Sequence, residues 1–363
     1  METHLEALCG ELRKSVDVRV LVANDHRGDD EAIVNGVAVS RLAIQMTIAG
    51  APICPAMAWK IRRASSDIVH VHLPNPAGVI AALASGSGSH LIATWHSDVV
   101  RQRRLARVFE PIQRRFLRRC AAVIATSPDY VESSEPLNRM RDRCHVVPYG
   151  IDPSRYRKAD EAEVREIRER FGERIVLAVG RLVYYKGFEN LVRAAAKIDA
   201  KILMVGEGPL RPALLKEAHE LGVDDRVVFL GEMQPSVIPY YHAADVFVLP
   251  SIARSEAFGI VQLEAMATGL PVVNTRIASG VPFVSRDGET GFTVPPGDSA
   301  ALAHAINRLL DDRELRARFG HAARRRVESE FSLDAMVRRT REIYERVAYG
   351  NEHPQYRAHL VAD

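Results

Sequence analysis

Residues 245–266 read DVFVLPSIARSEAFGIVQLEAM, and their pattern sets the class of architecture. Val246–Leu249 is a short, continuous apolar run, the pattern of a strand covered on both faces. From about Gly259 to Thr268 the pattern turns helical. A strand that feeds a helix through a polar loop is the unit of parallel α/β architecture. The same unit recurs on either side. In the second half of the chain the strand candidates are Ile175–Val179, Lys201–Val205, Val227–Leu230, Val246–Leu249 and Val272–Asn274, with helices over Leu191–Lys197 and Arg211–Leu221. In the first half they are Val16–Val22, Ile68–Leu73, Leu91–Trp95, Ala122–Thr126 and His145–Val147. Two successive sets of units predict two doubly wound domains. The boundary falls in PYGIDPSRYR, residues 148–157, where Gly and two prolines break the periodicity. The expected division is 1–152, 153–332, a helix within 333–349 with no strand after it, and a polar tail over 350–363.

Composition is consistent with this. A chain of 363 residues suits two domains, and 47% hydrophobic with 26% charged residues is ordinary globular usage. The longest apolar runs are strand-length, which predicts no transmembrane helix, and METHLEALCGEL lacks the apolar core of a signal peptide. Cys9, Cys54, Cys120 and Cys144 have no paired spacing, which argues against disulfides and zinc and for a cytoplasmic location. A net charge of +3 gives no reason to expect nucleic acid as a partner. Only seven of the 49 basic residues are lysine, so each lysine stands out.

The loop Ser251–Phe258 leaves the carboxyl end of a parallel strand, where open α/β sheets bind ligands. Amides of Phe258, Gly259 and Ile260 at the start of the following helix would form a phosphate site. Glu256 and Glu264 lie eight residues apart, up to about 12 Å on a helix. That span fits a sugar at one end of a diphosphate and a ribose at the other. A second loop, GRLVYYKG at 180–187, also leaves a strand, so Arg181 and Lys186 can converge on one ligand. Two cations beside a diphosphate leaving group stabilise the negative charge that grows as the bond breaks, the work a metal otherwise does. His96, in TWHSD directly after a strand, would face the cleft between domains, where it could bind a substrate hydroxyl. A lone histidine is more often structural.

Two segments suggest other chemistry. VGEGPL at 205–210 follows a strand, but Arg211 occupies the third glycine position of a dinucleotide fingerprint, so no NAD role follows. Arg101–Arg119 carries eight arginines against one glutamate. Leu105, Val108, Phe109, Ile112 and Phe116 make an apolar stripe at helical spacing, and Pro111 is expected to kink or split the helix. The stripe fits packing on a sheet; its basic flanks fit an anionic membrane surface or a lipid-phosphate acceptor.

Together these segments resemble the retaining GT-B glycosyltransferases of family 4, which include bacterial mannosyl- and rhamnosyltransferases, over nearly the whole chain. The E-x7-E signature matches Glu256-AFGIVQL-Glu264; G-R-x4-K-G matches Gly180–Gly187; G-x-G-P matches Gly206–Pro209; H-x-D matches His96–Asp98; P-x-G-I-D matches Pro148–Asp152. The resemblance implies two Rossmann-like domains, an N-terminal acceptor-side one and a C-terminal one for the nucleotide-sugar donor, with the final helix crossing back. It implies that Arg181 and Lys186 hold the donor phosphates, that Gly180 belongs to the donor-binding site and that Glu256 holds the sugar hydroxyls. Phe258, Gly259 and Ile260 would offer amides, Glu264 would bind the ribose, Met233 would lie against the base, and His96 would face the sugar. No cofactor and no metal are expected. The implied reaction moves a hexose to a lipid-linked or polysaccharide acceptor; TWHSDVVRQ resembles the mannosyltransferase branch and points to GDP-mannose. The implied location is cytoplasmic, peripheral on the inner face of the cell membrane.

The family opens with a strand and a glycine-rich loop before a helix like ETHLEALCGELRK, whereas Met1 here stands directly on that helix. The expectation is an N-terminal domain lacking its first strand, through a start placed too far downstream or through truncation, with poor solubility or low activity. The alternatives are an inactive nucleotide-sugar-binding protein, a GT-B sugar-nucleotide epimerase and a phosphorylase. Epimerases lack this E-x7-E arrangement, and phosphorylases need a much longer chain with a pyridoxal phosphate lysine.

Overall fold

A computed structural model of the chain describes residues 2–24, 26, 28–48, 51–98, 103–233 and 236–350. The chain divides into two compact units. One runs to Thr126 and takes in Ser134–Tyr149 and the chain from Leu333 onward; the other comprises Ser127–Ser133 and Gly150–Ser332.

The first unit contains β1 (Arg19–Ala23), β2 (Asp30–Val34), β3 (Val37–Leu42), β4 (Met46–Ile48), β5 (Ala51–Ile53), β6 (Ile68–Leu73), β7 (His90–Trp95), β8 (Cys120–Ala125) and β9 (Cys144–Val146). The strands β6-β7-β8-β9 form a four-stranded parallel sheet in chain order. A second sheet has the order β1-β3-β2, with β1 parallel and β2 antiparallel to β3. Among the described residues no pairing joins β1 to β6. The two strands nonetheless share a core, because Leu21, Ala23 and Val69 all pack on the cluster of Leu42, Met57 and Ile61. Alternation along β6 sorts its side chains: Val71 and Leu73 are buried on one face, while Ile68, His70 and His72 take the other. On that second face the helices Glu2–Leu12 and Leu333–Tyr349 pack together, with Leu8, Leu12, Met336 and Ile343 meeting Ile92 and Ile124 in one cluster.

Helix Arg103–Arg119 runs through Pro111 as a single helix, so the expected split does not occur. Its apolar stripe is not uniformly buried either. Phe116 and Leu117 are buried, Ile112 is exposed and Val108 is 78% exposed, while Arg101 and the side chain of Leu105 lie outside the described residues.

The second unit contains β10 (Ile175–Val179), β11 (Lys201–Val205), β12 (Val227–Gly231), β13 (Val246–Leu249), β14 (Val272–Thr275) and β15 (Gly291–Val294). They form one sheet, order β12-β11-β10-β13-β14-β15, with every neighbour parallel. Val176, Ala178, Ile202, Met204, Val246 and Val248 are fully buried and pack with Leu191, Leu214, Ile306 and Leu309 from helices Phe188–Ala195, Arg211–Glu220 and Ser299–Asp311. Burial of the strands on both faces is why they read as unbroken apolar runs. After β12 the chain returns to the opposite side of β10 to place β13, so the strand order reverses between β10 and β13.

The first unit's core predicts its own weak point. Leu12→Ala empties a position that is 1% exposed among Leu8, Ile92 and Met336. It should cost about 2–5 kcal/mol in denaturant unfolding; a loss below about 0.5 kcal/mol would mean this helix is not part of the core.

Candidate active site

The reversal of strand order between β10 and β13 opens a crevice at the carboxyl ends of two adjacent strands, the usual ligand position in such sheets. The two loops that leave these strands carry the site. Lys186 ends a short 3-10 turn after β10, and Glu256 lies in the loop after β13. Lys186 Nζ and Glu256 Oε2 meet at 2.6 Å, and both residues are about 8% exposed. Ser251, fully buried, donates its hydroxyl to the same carboxylate oxygen at 3.3 Å. Thr275 donates its hydroxyl to the Ser251 carbonyl and so fixes the loop to the end of β14. Ile252 N–H donates to the Tyr185 carbonyl at 2.8 Å, which joins the two loops directly.

This approach dictates glycine. At Gly187, with φ +65°, a Cβ would lie 2.2 Å from the Pro250 carbonyl oxygen. At Gly180, with φ +153°, a Cβ would lie 3.3 Å from Lys186 Nζ, a tight contact to which the lysine would have to give way slightly. Arg181, one residue on, is exposed, and among the described residues no carboxylate pairs with it.

The helix after this loop spans Val261–Thr268, so it begins two residues later than the sequence pattern suggests. Gly259 has φ +74° and Ile260 is the N-cap; the first amide bonded back into the turn is Gln262, donating to the Gly259 carbonyl at 2.9 Å. Phe258 is buried, and Gln262 is locked by Asn274, whose Nδ2 donates to Gln262 Oε1 at 2.9 Å. Only part of the interval from Glu256 to Glu264 is therefore helical. Glu264 lies one turn into the helix and accepts from Tyr241 Oη at 2.8 Å. Tyr156 is its second phenol partner. Burial raises the Glu264 carboxyl above its ordinary range, and these two hydrogen bonds pull it partly back. Met233 lies half-buried in the loop after β12.

His96 belongs to the other unit, just beyond β7, where it is one of several clustered histidines. His72 Nδ1 and His96 Nε2 are 2.8 Å apart, and His96 Nδ1 meets the Tyr149 hydroxyl. Both ring nitrogens of His96 are thus engaged inside the unit. His70 stacks on His72 with centroids 4.4 Å apart, and its own nitrogens meet Tyr344 Oη and Thr94 Oγ1, each at 2.7 Å. His4, on the first helix, sits edge-on to His96 and Tyr149. Burial, then the neighbouring imidazoles, push His96 down to about 2 and His70 to about 3. The rings are neutral at pH 7.

The sequence reading missed Ser251, Tyr156, Tyr241, His4, His70 and His72. For the histidines a signal existed: VHVH on a strand puts His70 and His72 on one face. Nothing in the sequence marks Tyr241, whose partner is 23 residues away.

Fold and site define a class, the GT-B glycosyltransferases. The structure matches Anabaena Alr3699/HepE, solved in complex with UDP, at TM-score 0.79 and 21% identity, covering 94% of this chain and 95% of that one. It also matches a sucrose-phosphate synthase from Thermosynechococcus elongatus at TM-score 0.76 and 25% identity, covering 94% and 92%. Residues 160–326 match the family Glycosyl transferases group 1, and residues 1–155 match Glycosyltransferase Family 4. The chain is 36% identical to the O-antigen chain mannosyltransferase C of Escherichia coli over 75% of this chain and 73% of that one. It is 30% identical to a GDP-mannose-dependent phosphatidylinositol monomannoside mannosyltransferase of Mycolicibacterium smegmatis over 94% and 92%. The chain belongs to glycosyltransferase family 4 and is a retaining glycosyltransferase.

The buried Glu264 yields a test by pH. Its folded-state pKa is raised, so the folded protein holds the proton to higher pH than the unfolded chain, and stability is withdrawn as pH rises through that raised value. Glu264→Gln cannot ionise. The variant's melting temperature relative to wild type should therefore climb as the pH is raised above the ordinary carboxyl range. A difference independent of pH would show that Glu264 stays ionised throughout.

Proposed function

We propose that this chain transfers a hexose, with GDP-mannose as the donor, to a lipid-linked or polysaccharide acceptor in cell-surface glycan synthesis. The Lys186–Glu256 ion pair at the switch point between β10 and β13 carries this reading. A buried ammonium and a buried carboxylate in contact are what the junction of a sugar and a phosphate asks for. The phosphate oxygens take the lysine, and the released carboxylate accepts hydrogen bonds from the sugar hydroxyls. Arg181, exposed beside them, adds a second cation, and the amides of Phe258, Gly259 and Ile260 add donors at the start of the helix. As the anomeric bond breaks, charge grows on the diphosphate, and these fixed positive groups stabilise that state more than the bound donor. On this reading the two cations take the place of a metal. Glu264, held by its two phenols, binds the ribose, and Met233 lies against the base. A role for His96 toward the sugar requires one of its ring nitrogens to exchange its present partner. The mannose assignment is supported by the names of the Escherichia coli and Mycolicibacterium smegmatis relatives.

Glu256→Ala should lower kcat by about 100-fold or more while the protein still binds GDP. Unchanged kinetics in that variant would remove Glu256 from the reaction. Among GDP-, UDP- and dTDP-sugars, GDP-mannose should give the largest rise in melting temperature; a larger rise with a UDP-sugar would overturn the donor assignment.

The acceptor reading places helix Arg103–Arg119 on an anionic membrane surface. Val108 and Ile112 are exposed beside exposed Arg114, Arg115, Arg118 and Arg119, an apolar edge flanked by cations. No described helix is long and apolar enough to cross a membrane. Replacing Arg115, Arg118 and Arg119 by serine should remove about 1 kcal/mol of binding each on phosphatidylglycerol vesicles. Equal co-sedimentation of variant and wild type would exclude this helix as the contact.

A further inference from the structure

We propose that His4, His72 and His96 form a binding site for one divalent cation of the zinc class. Each imidazole offers a ring nitrogen, and the three nitrogens lie within 4.8 Å of one another. They come from three separate elements, the helix Glu2–Leu12, β6 and the end of β7, so no single helix turn or loop brings them together. Zinc bound to nitrogen at about 2.0–2.1 Å in a tetrahedron spaces its ligand nitrogens about 3.3 Å apart, so small ring rotations suffice to close the site.

The contact between His72 and His96 is the most telling. Nδ1 of one and Nε2 of the other face each other at 2.8 Å, and two neutral rings share a single proton there. A cation that replaces this proton must spread the two nitrogens from 2.8 Å to about 3.3 Å, a shift that small ring rotations supply. Outer contacts needed to orient such ligands are present. The Tyr149 hydroxyl holds the remaining nitrogen of His96. His70, stacked on His72, is itself fixed at both nitrogens by Tyr344 and Thr94. Imidazole donors favour zinc, nickel, copper and cobalt over magnesium and calcium. Three protein ligands leave a fourth position for water. Because His96 is one of the ligands, an occupied site and a substrate-facing His96 exclude each other. The site goes beyond the transferase reading and does not depend on it.

The test uses the whole chain, treated with EDTA and dialysed, then titrated with Zn²⁺ by calorimetry and with Co²⁺ by visible absorption. The expected result is one tight equivalent, with cobalt bands of tetrahedral intensity. His4→Ala and His72→Gln should each weaken binding about tenfold or more at unchanged far-ultraviolet circular dichroism. His219→Ala, at an exposed histidine beside Asp224, should bind as wild type does. Absence of a tight equivalent, or equal affinity in wild type, His4→Ala and His72→Gln, would overturn the proposal. Loss of the site in His219→Ala alone would overturn it as well.

Discussion

The second unit is organised around one expensive contact, the ion pair of Lys186 and Glu256. Taking two charges out of water costs several kcal/mol per ion, and the attraction between them returns that only with good geometry and further hydrogen bonds. A pair of packed apolar side chains would serve stability as well. What an apolar pair cannot do is offer a ligand a cation and an anion, the two groups that the proposed reading assigns to a sugar phosphate. The surrounding residues are the conditions for holding that pair. Ser251 supplies the extra hydrogen bond, Thr275 anchors the loop that carries it, and the bare backbone at Gly187 allows the two loops to close on each other.

Glu264 follows the same logic one helical turn further on. Its carboxylate is buried between Tyr156 and Tyr241, whose hydroxyls fix its direction and favour its charged form while burial opposes it. The two site carboxylates thus have opposite environments: Glu256 faces an ammonium, and Glu264 faces two neutral hydroxyls. A cationic neighbour favours the charged form of a carboxylate directly, whereas neutral donors only partly offset the cost of burying one.

The first unit concentrates its polar chemistry on one sheet face. Along β6 the odd-numbered residues build an apolar core, while His70 and His72 meet His4, His96, Tyr149 and Tyr344 on the other face. A buried set of rings linked by shared protons is satisfied only when every member has a partner, which ties the first helix, the sheet and the final helix to one another. The short segment that bears the unit boundary contributes to both networks, Tyr149 to the histidines and Tyr156 to Glu264.

By itself the sequence determined the parallel strands and the order of the site loops. Ile175–Val179, Lys201–Val205 and Val246–Leu249 lie where their apolar runs place them, because a strand buried on both faces writes its burial into every position. Strands β2 and β3 were not legible from apolar content, since DEAIV opens with two acids and VAVSRL is broken by Ser40 and Arg41, which leaves neither strand an unbroken apolar run. Their one strong signal is the turn Asn35-Gly36, with φ of 50° and 78°. Strand β15, GFTV, alternates Gly and Thr with its only two large apolar residues and so lacks the apolar run that marks β13. Only the tertiary structure decided which side chains meet. It paired Lys186 with Glu256 and left Arg181 in solvent, gave Glu264 its phenols, and joined His96 to His72. Spacing along the chain constrains neighbours within an element, whereas these contacts link residues dozens of positions apart, and their distances are set by how separate elements pack.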